Sequence, residues 1–172
     1  MRETAHLSWE GELAFSGASG SEGPIAWQGD EGSAGLRPSE AVLASLGACT
    51  AMDVISILHK KRQTVERYEV ELEAELADAH PKIFRRITVT HVVAGPGLSV
   101  EAVRRSIELS ATRYCIVNAT LSSGLVEIHH RYRVSDGVDG SGAQEAEVVV
   151  TGPHGAGVAL PDDAAGAERA TA

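Results

Sequence analysis

Hydrophobic and polar positions alternate most cleanly in "RYEVELEAELAD", residues 67–78. Tyr68, Val70, Leu72, Ala74 and Leu76 share one face, and Glu69, Glu71, Glu73 and Glu75 the other. That period of two predicts a half-buried strand with a solvated row of carboxylates. "HP" (80–81) makes a turn, and "KIFRRITVTHVVAG" (82–95) returns as its antiparallel partner. Nearer the start, "HLSWEGELAF" (6–15) alternates more loosely and "PIAWQG" (24–29) reads as a second short strand. The Gly/Ser-rich "SGASGSEG" between them is a turn region.

Two segments change period. From Pro38 to about Lys61 the chain reads as a helix, with proline at its first position, where the missing N–H costs nothing. Glu40 falls in its first turn and "HKKR" (59–62) in its last, the charge order that the helix dipole favours. Between Ala41 and Leu58 only Ser45, Thr50, Asp53 and Ser56 interrupt the apolar run. A helix apolar on nearly every side is one surrounded by protein. In a chain this short, that predicts a second subunit over one face, and a buried helix in place of a membrane span. The second helix starts at Ser99 as N-cap, with Val100, Val103, Ile107, Ala111 and Tyr114 as its apolar stripe. Glu101, Arg104, Arg105 and Glu108 form its wet side, and Cys115 sits at or just past its end. "GLVEIHHRYRV" (124–134) supplies a last strand, so the order of elements defines an α+β domain over residues 1–134.

From Ser135 the pattern gives way to Gly, Ala and Asp, with one apolar island, "EVVV" (147–150). Most of residues 135–172 is therefore expected to be a mobile acidic tail; the valines could add an edge strand, but the flanking glycines argue against it. This segment holds seven acidic side chains against Arg169 alone, and so carries most of the net charge of −9 on the 172-residue chain. Acidity without a basic stripe argues against nucleic acid, since phosphate neutralisation dominates that binding. Aromatic residues make up only 4% of the chain, so Val, Leu, Ile and Ala must build most of the core. No basic start followed by an apolar run and a small-residue cleavage site is present, so a cytoplasmic location is expected.

Two cysteines carry the candidate chemistry: Cys49 in "LASLGACTAMDV" and Cys115 in "SATRYCIVNATL". No CxxC occurs and no Cys/His cluster has zinc-site spacing, so no metal is expected. A lone buried cysteine is commonly a small hydrophobe. Burial of the first helix points that way, because the reactive species is the thiolate. Asp53, one turn after Cys49 on the same face, adds a negative charge where a thiolate would form. Local physics alone leaves core filler and working pair both open.

"RPSEAVLASLGACTAMDVISILHKKRQ" resembles the central helix of the OsmC/Ohr family, in which a proline and a glutamate precede a small-residue helix carrying a cysteine. "AHPKIFRRITVTHVVAGPGLSVEAVRRSIELSATRYCIVNATL" is similar to that family's second half, with its second cysteine after a "(K/R)YC"-like step. The likeness runs over about residues 6–134. It implies an intertwined homodimer with two long central helices packed against antiparallel sheets. It also implies a peroxidase in which Cys49 attacks a hydroperoxide and Cys115 traps the sulfenic acid as a disulfide. An external dithiol then reduces that bond by exchange, with no bound cofactor.

The family's peroxidases also place an arginine and a glutamate around the reactive cysteine, with the glutamate immediately after the helix-leading proline. Ser39 stands there in this chain, and the glutamate comes one residue later, at Glu40. Residues 3–36 contain no arginine. Arg37 is the candidate nearest the helix start, and Arg113 could approach from the side of Cys115. This pattern resembles a less-characterised branch of the family. An alternative is a non-catalytic dimeric binding domain holding an apolar ligand, with structural cysteines. His129 and His130, adjacent in a strand, face opposite sides and cannot share a ligand.

Overall fold

The structure, a computed structural model, describes residues 2–29 and 34–155. It divides into two compact units, with the boundary inside the first helix between Ala44 and Ser45.

In the first unit, β1 (Ala5–Gly11), β2 (Ala14–Ser19) and β3 (Pro24–Gln28) form an antiparallel meander. "HLSWEGELAF" is thus a hairpin and not a single strand. Gly11 at φ 112° and Glu12 at φ 45° make its turn, and the Trp9 indole N–H donates to the Glu12 carbonyl at 2.9 Å. Register pairs Trp9 with Phe15 and Phe15 with Trp27, and pairs Leu7 with Gly17 and Gly17 with Ile25. Directly paired residues share a face, so both tryptophans of the chain lie on one side of this sheet. Gly17 is required there, since a Cβ on it would come within 1.9 Å of the His6 carbonyl oxygen.

Helix α1 (Pro38–Lys60) begins at the expected proline. In the second unit its buried residues Leu46, Thr50, Val54 and Leu58 follow one another every fourth position, forming one inward stripe. Gly47 lets the helix press onto the sheet, because a Cβ there would meet Leu72 Cδ1 at 2.7 Å. Ala48 and Met52, on another side, are exposed. By length and composition α1 is apolar enough to cross a membrane. Its buried Thr50 and its contact with Leu72 identify it here as the core helix of this unit.

The alternating segment forms β4 (Arg67–Leu76), its glutamates exposed, paired antiparallel to β5 (Phe84–Ala94). β6 (Glu127–Ser135) then runs parallel to β5, and β7 (Gln144–Thr151) antiparallel to β6, giving the order β4-β5-β6-β7. The expected antiparallel sheet is therefore mixed. A helical crossover between β5 and β6 returns the chain to the end where β5 began, and such a connection makes neighbours parallel. Val54, Leu58, Val93, Val103, Ile107 and Val134 form the core between sheet and helices.

That crossover departs from the expected single helix in two ways. Helix α2 (Val100–Leu109) starts as predicted, with the Ser99 side chain accepting from the Ala102 N–H, but ends at Leu109. Residues Ser110–Tyr114 form a π-helical turn, closed by the Cys115 N–H on the Ser110 carbonyl at 2.9 Å. The wider turn carries Tyr114 off the apolar stripe, and it is exposed instead of buried. The chain then restarts as α3 (Ile116–Ser122), with Cys115 as its N-cap. Cys115 therefore lies just past the end of the second helix, as expected, with the π-helical turn before it and a further short helix after it.

A further departure concerns the tail. Residues 144–151, expected to be mobile, are the edge strand β7, since the apolar island continues the β6 ladder. Val148 packs against the core and Thr151 is fully buried. Residues after 155 lie outside the described part of the chain. Val148→Asp is expected to cost about 2 kcal/mol or more in urea unfolding, as a charge forced onto an apolar cluster does. An unchanged midpoint would show that β7 is dispensable.

Candidate functional site

The break between α2 and α3 brings together what the sequence separates. Cys49 Sγ, an Asp53 carboxylate oxygen and Cys115 Sγ all lie within 4.8 Å of one another. Cys49 and Asp53 stand one turn apart on α1. Cys49 is half-buried, Cys115 is only 2% exposed, and both thiols are free. The whole cluster is built from residues of the second unit.

Ser110 holds it in register. Its hydroxyl donates to Asp53 Oδ2 at 2.9 Å and lies 3.1 Å from Thr50 Oγ1. With its one hydrogen given to Asp53, Ser110 must accept from Thr50. The same residue's carbonyl receives the Cys115 N–H. One buried serine therefore ties α1 to both the side chain and the backbone of the site.

The electrostatics are those of an apolar, anionic corner. Burial raises Asp53 above the usual carboxylate range, and the Ser110 hydrogen bond partly offsets it. Burial, followed by the hydrogen bond with Cys49, pushes the Cys115 thiol up to about 12, against the pull of the Asn118 N–H on its sulfur at 3.3 Å. No positively charged side chain contributes to either shift. Among the described residues, Asp53 forms no ion pair.

Arg37 and Glu40 belong to the first unit and are exposed. The Arg37 backbone N–H donates to Glu40 Oε2 at 3.0 Å, the arrangement of a helix cap. Arg113 stands in the π-helical turn beside Cys115. His129 takes hydrogen bonds with Glu127 and Glu147 at the sheet surface, while His130 on the opposite face is fully buried.

A buried polar chain runs behind Cys115. Tyr68 Oη lies 2.7 Å from His91 Nδ1, His91 Nε2 lies 3.5 Å from His130 Nδ1, and His130 Nε2 lies 2.9 Å from Asn118 Oδ1. The Asn118 amide nitrogen is bonded to the Ala111 carbonyl at 2.7 Å and to Thr151 Oγ1 at 3.2 Å. Its oxygen is thus the acceptor, and the chain is assigned one direction: Tyr68 donates to His91, His91 to His130, His130 to Asn118. Both imidazoles must then be neutral. Burial agrees with this, lowering His130 to about 4 and His91 well below its ordinary value. Burial and the Asp53 charge keep the Tyr68 hydroxyl protonated.

Sequence reasoning found the two cysteines and missed this support. The available signal was polar residues occupying inward positions of a regular pattern: Thr50 in the stripe of α1, His91 on the inner face of β5, His130 on that of β6.

This fold and site fall in a known class. The family model described as OsmC-like protein matches residues 29–131, and the chain belongs to that family. It is 39% identical over 130 residues to Protein YhfA of Escherichia coli (strain K12), covering 76% of this chain and 96% of that protein. Among solved structures, a hypothetical protein from Aquifex aeolicus VF5 aligns with TM-score 0.68 and 28% identity, covering 79% of this chain and 99% of its own. The organic hydroperoxide resistance protein OhrB of Bacillus subtilis shares the fold at TM-score 0.52 and 18% identity, over 75% and 97% of the two chains.

The neutral histidines make stability depend on pH. The unfolded chain takes up a proton on His130 as pH falls through about 6.5, while the folded chain refuses it until about 4. Stability that is complete above pH 6.5 therefore declines by about 1.4 kcal/mol per pH unit on the way down. Urea midpoints measured from pH 7 to 4.5 should fall more steeply for the wild type than for His130→Gln, which begins lower. Equal slopes would contradict the assigned network.

Proposed function

We propose that this chain is a cytoplasmic, homodimeric thiol peroxidase that reduces organic hydroperoxides through Cys49 and Cys115. The observation that carries the reading is the approach of two free thiols, sixty-six residues apart in sequence, to within 4.8 Å. The Cys49 thiolate attacks the distal peroxide oxygen, the O–O bond breaks, and the departing alkoxide takes a proton to leave as the alcohol. Cys49 is then a sulfenic acid. The Cys115 sulfur attacks it, forming the disulfide while its proton and the hydroxyl leave as water. A dithiol restores both thiols by exchange.

An open groove of about 530 Å³ lined by Asp53, Ser56, Ile57, Lys60, Leu109 and Tyr114 reaches the carboxylate of the cluster and offers apolar wall to an organic substituent. The name of the Bacillus subtilis relative agrees with that substrate class. For the dimer, the support is exposed apolar surface on both units: Leu7, Trp9 and Phe15 on the first, Met52 on α1 of the second.

Arg37 and Glu40 enter the proposal as the cation and carboxylate at the helix start. Glu40 already has a capping role through its bond to the Arg37 N–H. The expected pattern is a sulfenate step slowed about tenfold in Arg37→Ala, roughly 1.4 kcal/mol of barrier, with little change in Glu40→Gln, which can still cap.

A second reading, a dimeric binding domain with inert cysteines, is favoured by one observation: burial holds the Cys115 thiol protonated, and no positively charged side chain contributes to offset it. Cumene hydroperoxide separates the two. The peroxidase consumes it stoichiometrically with loss of both thiols, Cys115→Ser stops at the sulfenic acid, and Cys49→Ser does not react. Slow oxidation that is equal in both variants would support the binding domain.

A further inference from the structure

We infer that Cys49, Asp53 and Cys115 in their reduced state form a three-donor chelating site for a thiophilic divalent cation of the zinc type. The inference rests on free thiols and their geometry, and does not require peroxidase activity.

Two sulfurs and one carboxylate oxygen converge within 4.8 Å of one another. Tetrahedral zinc, with bonds of about 2.3 Å to sulfur and 2.0 Å to oxygen, spaces such donors roughly 3.5–3.8 Å apart. The observed ceiling asks for about 1 Å of closure. Each donor has firm support. Cys49 and Asp53 are fixed on one helix a turn apart. Cys115 is held by its backbone N–H on the Ser110 carbonyl and by the Asn118 N–H on its sulfur. Ser110 donates to Asp53 Oδ2 only, orienting the carboxylate while the other oxygen ligates, as outer partners of metal ligands do.

The donor set selects the cation. Two thiolates favour zinc, cadmium or cobalt over magnesium or calcium, which take oxygen. Binding balances as the cation entering, the two thiol protons leaving, and a net charge of −1 remaining on three anionic ligands and one dication. This corner resists its own anions: burial raises both Asp53 and Cys115. A dication reverses that resistance, since a coordinating thiol is deprotonated outright. Three protein ligands leave a fourth position for water, and Asp53 opens on the groove. Forming the disulfide consumes two of the three ligands, so metal and disulfide exclude each other. No spacing in the sequence marks the site, because the third ligand arrives through the π-helical turn.

Cobalt(II) is the probe, titrated anaerobically into the full reduced chain with both thiols verified free. The expected result is one Co²⁺ per chain, with thiolate-to-cobalt charge transfer and tetrahedral visible bands, displaced by Zn²⁺. The band is lost in Cys49→Ser and in Cys115→Ser, and affinity falls about ten- to a hundredfold in Asp53→Asn. The disulfide form binds none. On the wild type alone, Zn²⁺ should slow alkylation of the thiols by iodoacetamide at least tenfold. No charge transfer, a full band in Cys115→Ser, or unslowed alkylation would overturn the inference. None of these readouts uses peroxide, so a failed peroxidase assay leaves them independent.

Discussion

Ser110 is the joint on which the site depends. Its carbonyl accepts the Cys115 N–H across the π-helical turn, while its hydroxyl takes Thr50 on one side and holds Asp53 on the other. A standard helical turn would close one residue earlier and leave Cys115 elsewhere on the cylinder. By widening, the chain ends α2, starts α3 with the cysteine as cap, and turns its sulfur towards α1. Such turns are rare and cluster at functional positions. The four-residue stripe of α1 completes the joint, since Thr50 occupies a place that packing alone would give to leucine.

Behind this joint lies a second constraint, the polar line from Tyr68 to Asn118. Buried polar groups are tolerable when every one is paired, and here the pairing runs from β4 through β5 and β6 to α3, with Thr151 of β7 closing it. The sheet therefore does more than cover a helix. It fixes the residue whose N–H touches Cys115, and its histidines must stay uncharged to do so. The result is a dithiol placed accurately in low-dielectric surroundings beside a carboxylate. Burial there keeps the Cys115 thiol protonated, and either a disulfide or a bound cation would displace that proton.

Much of this was readable in the chain. The strand periodicity of 67–76, the proline start of α1, the Ser99 cap and the two cysteines all follow from local rules that tertiary packing did not override. The failures have physical reasons. Nothing in "SATRYC" distinguishes a π-helical turn from an ordinary one, because the choice belongs to packing of the crossover on β6 and β7. The parallel pairing of β5 with β6 follows from that crossover. The glycines flanking "EVVV" argue against a strand from sequence, although an edge strand needs only one good neighbour, and β6 supplies it. Ser110, His91 and His130 were visible only as polar residues in apolar places, which identifies an anomaly without naming its partner. Family resemblance went further than periodicity for the site, pairing Cys49 with Cys115 across a separation that no local rule connects.

The central claim is that these two sulfurs face each other within one chain. Mild oxidation of the full-length protein with diamide, followed by non-reducing peptide mass spectrometry, addresses it directly. The account predicts a Cys49–Cys115 linked peptide formed quickly within single chains and reversed by dithiothreitol. Cross-linked pairs of chains through either cysteine, or two thiols that persist unlinked, would contradict it.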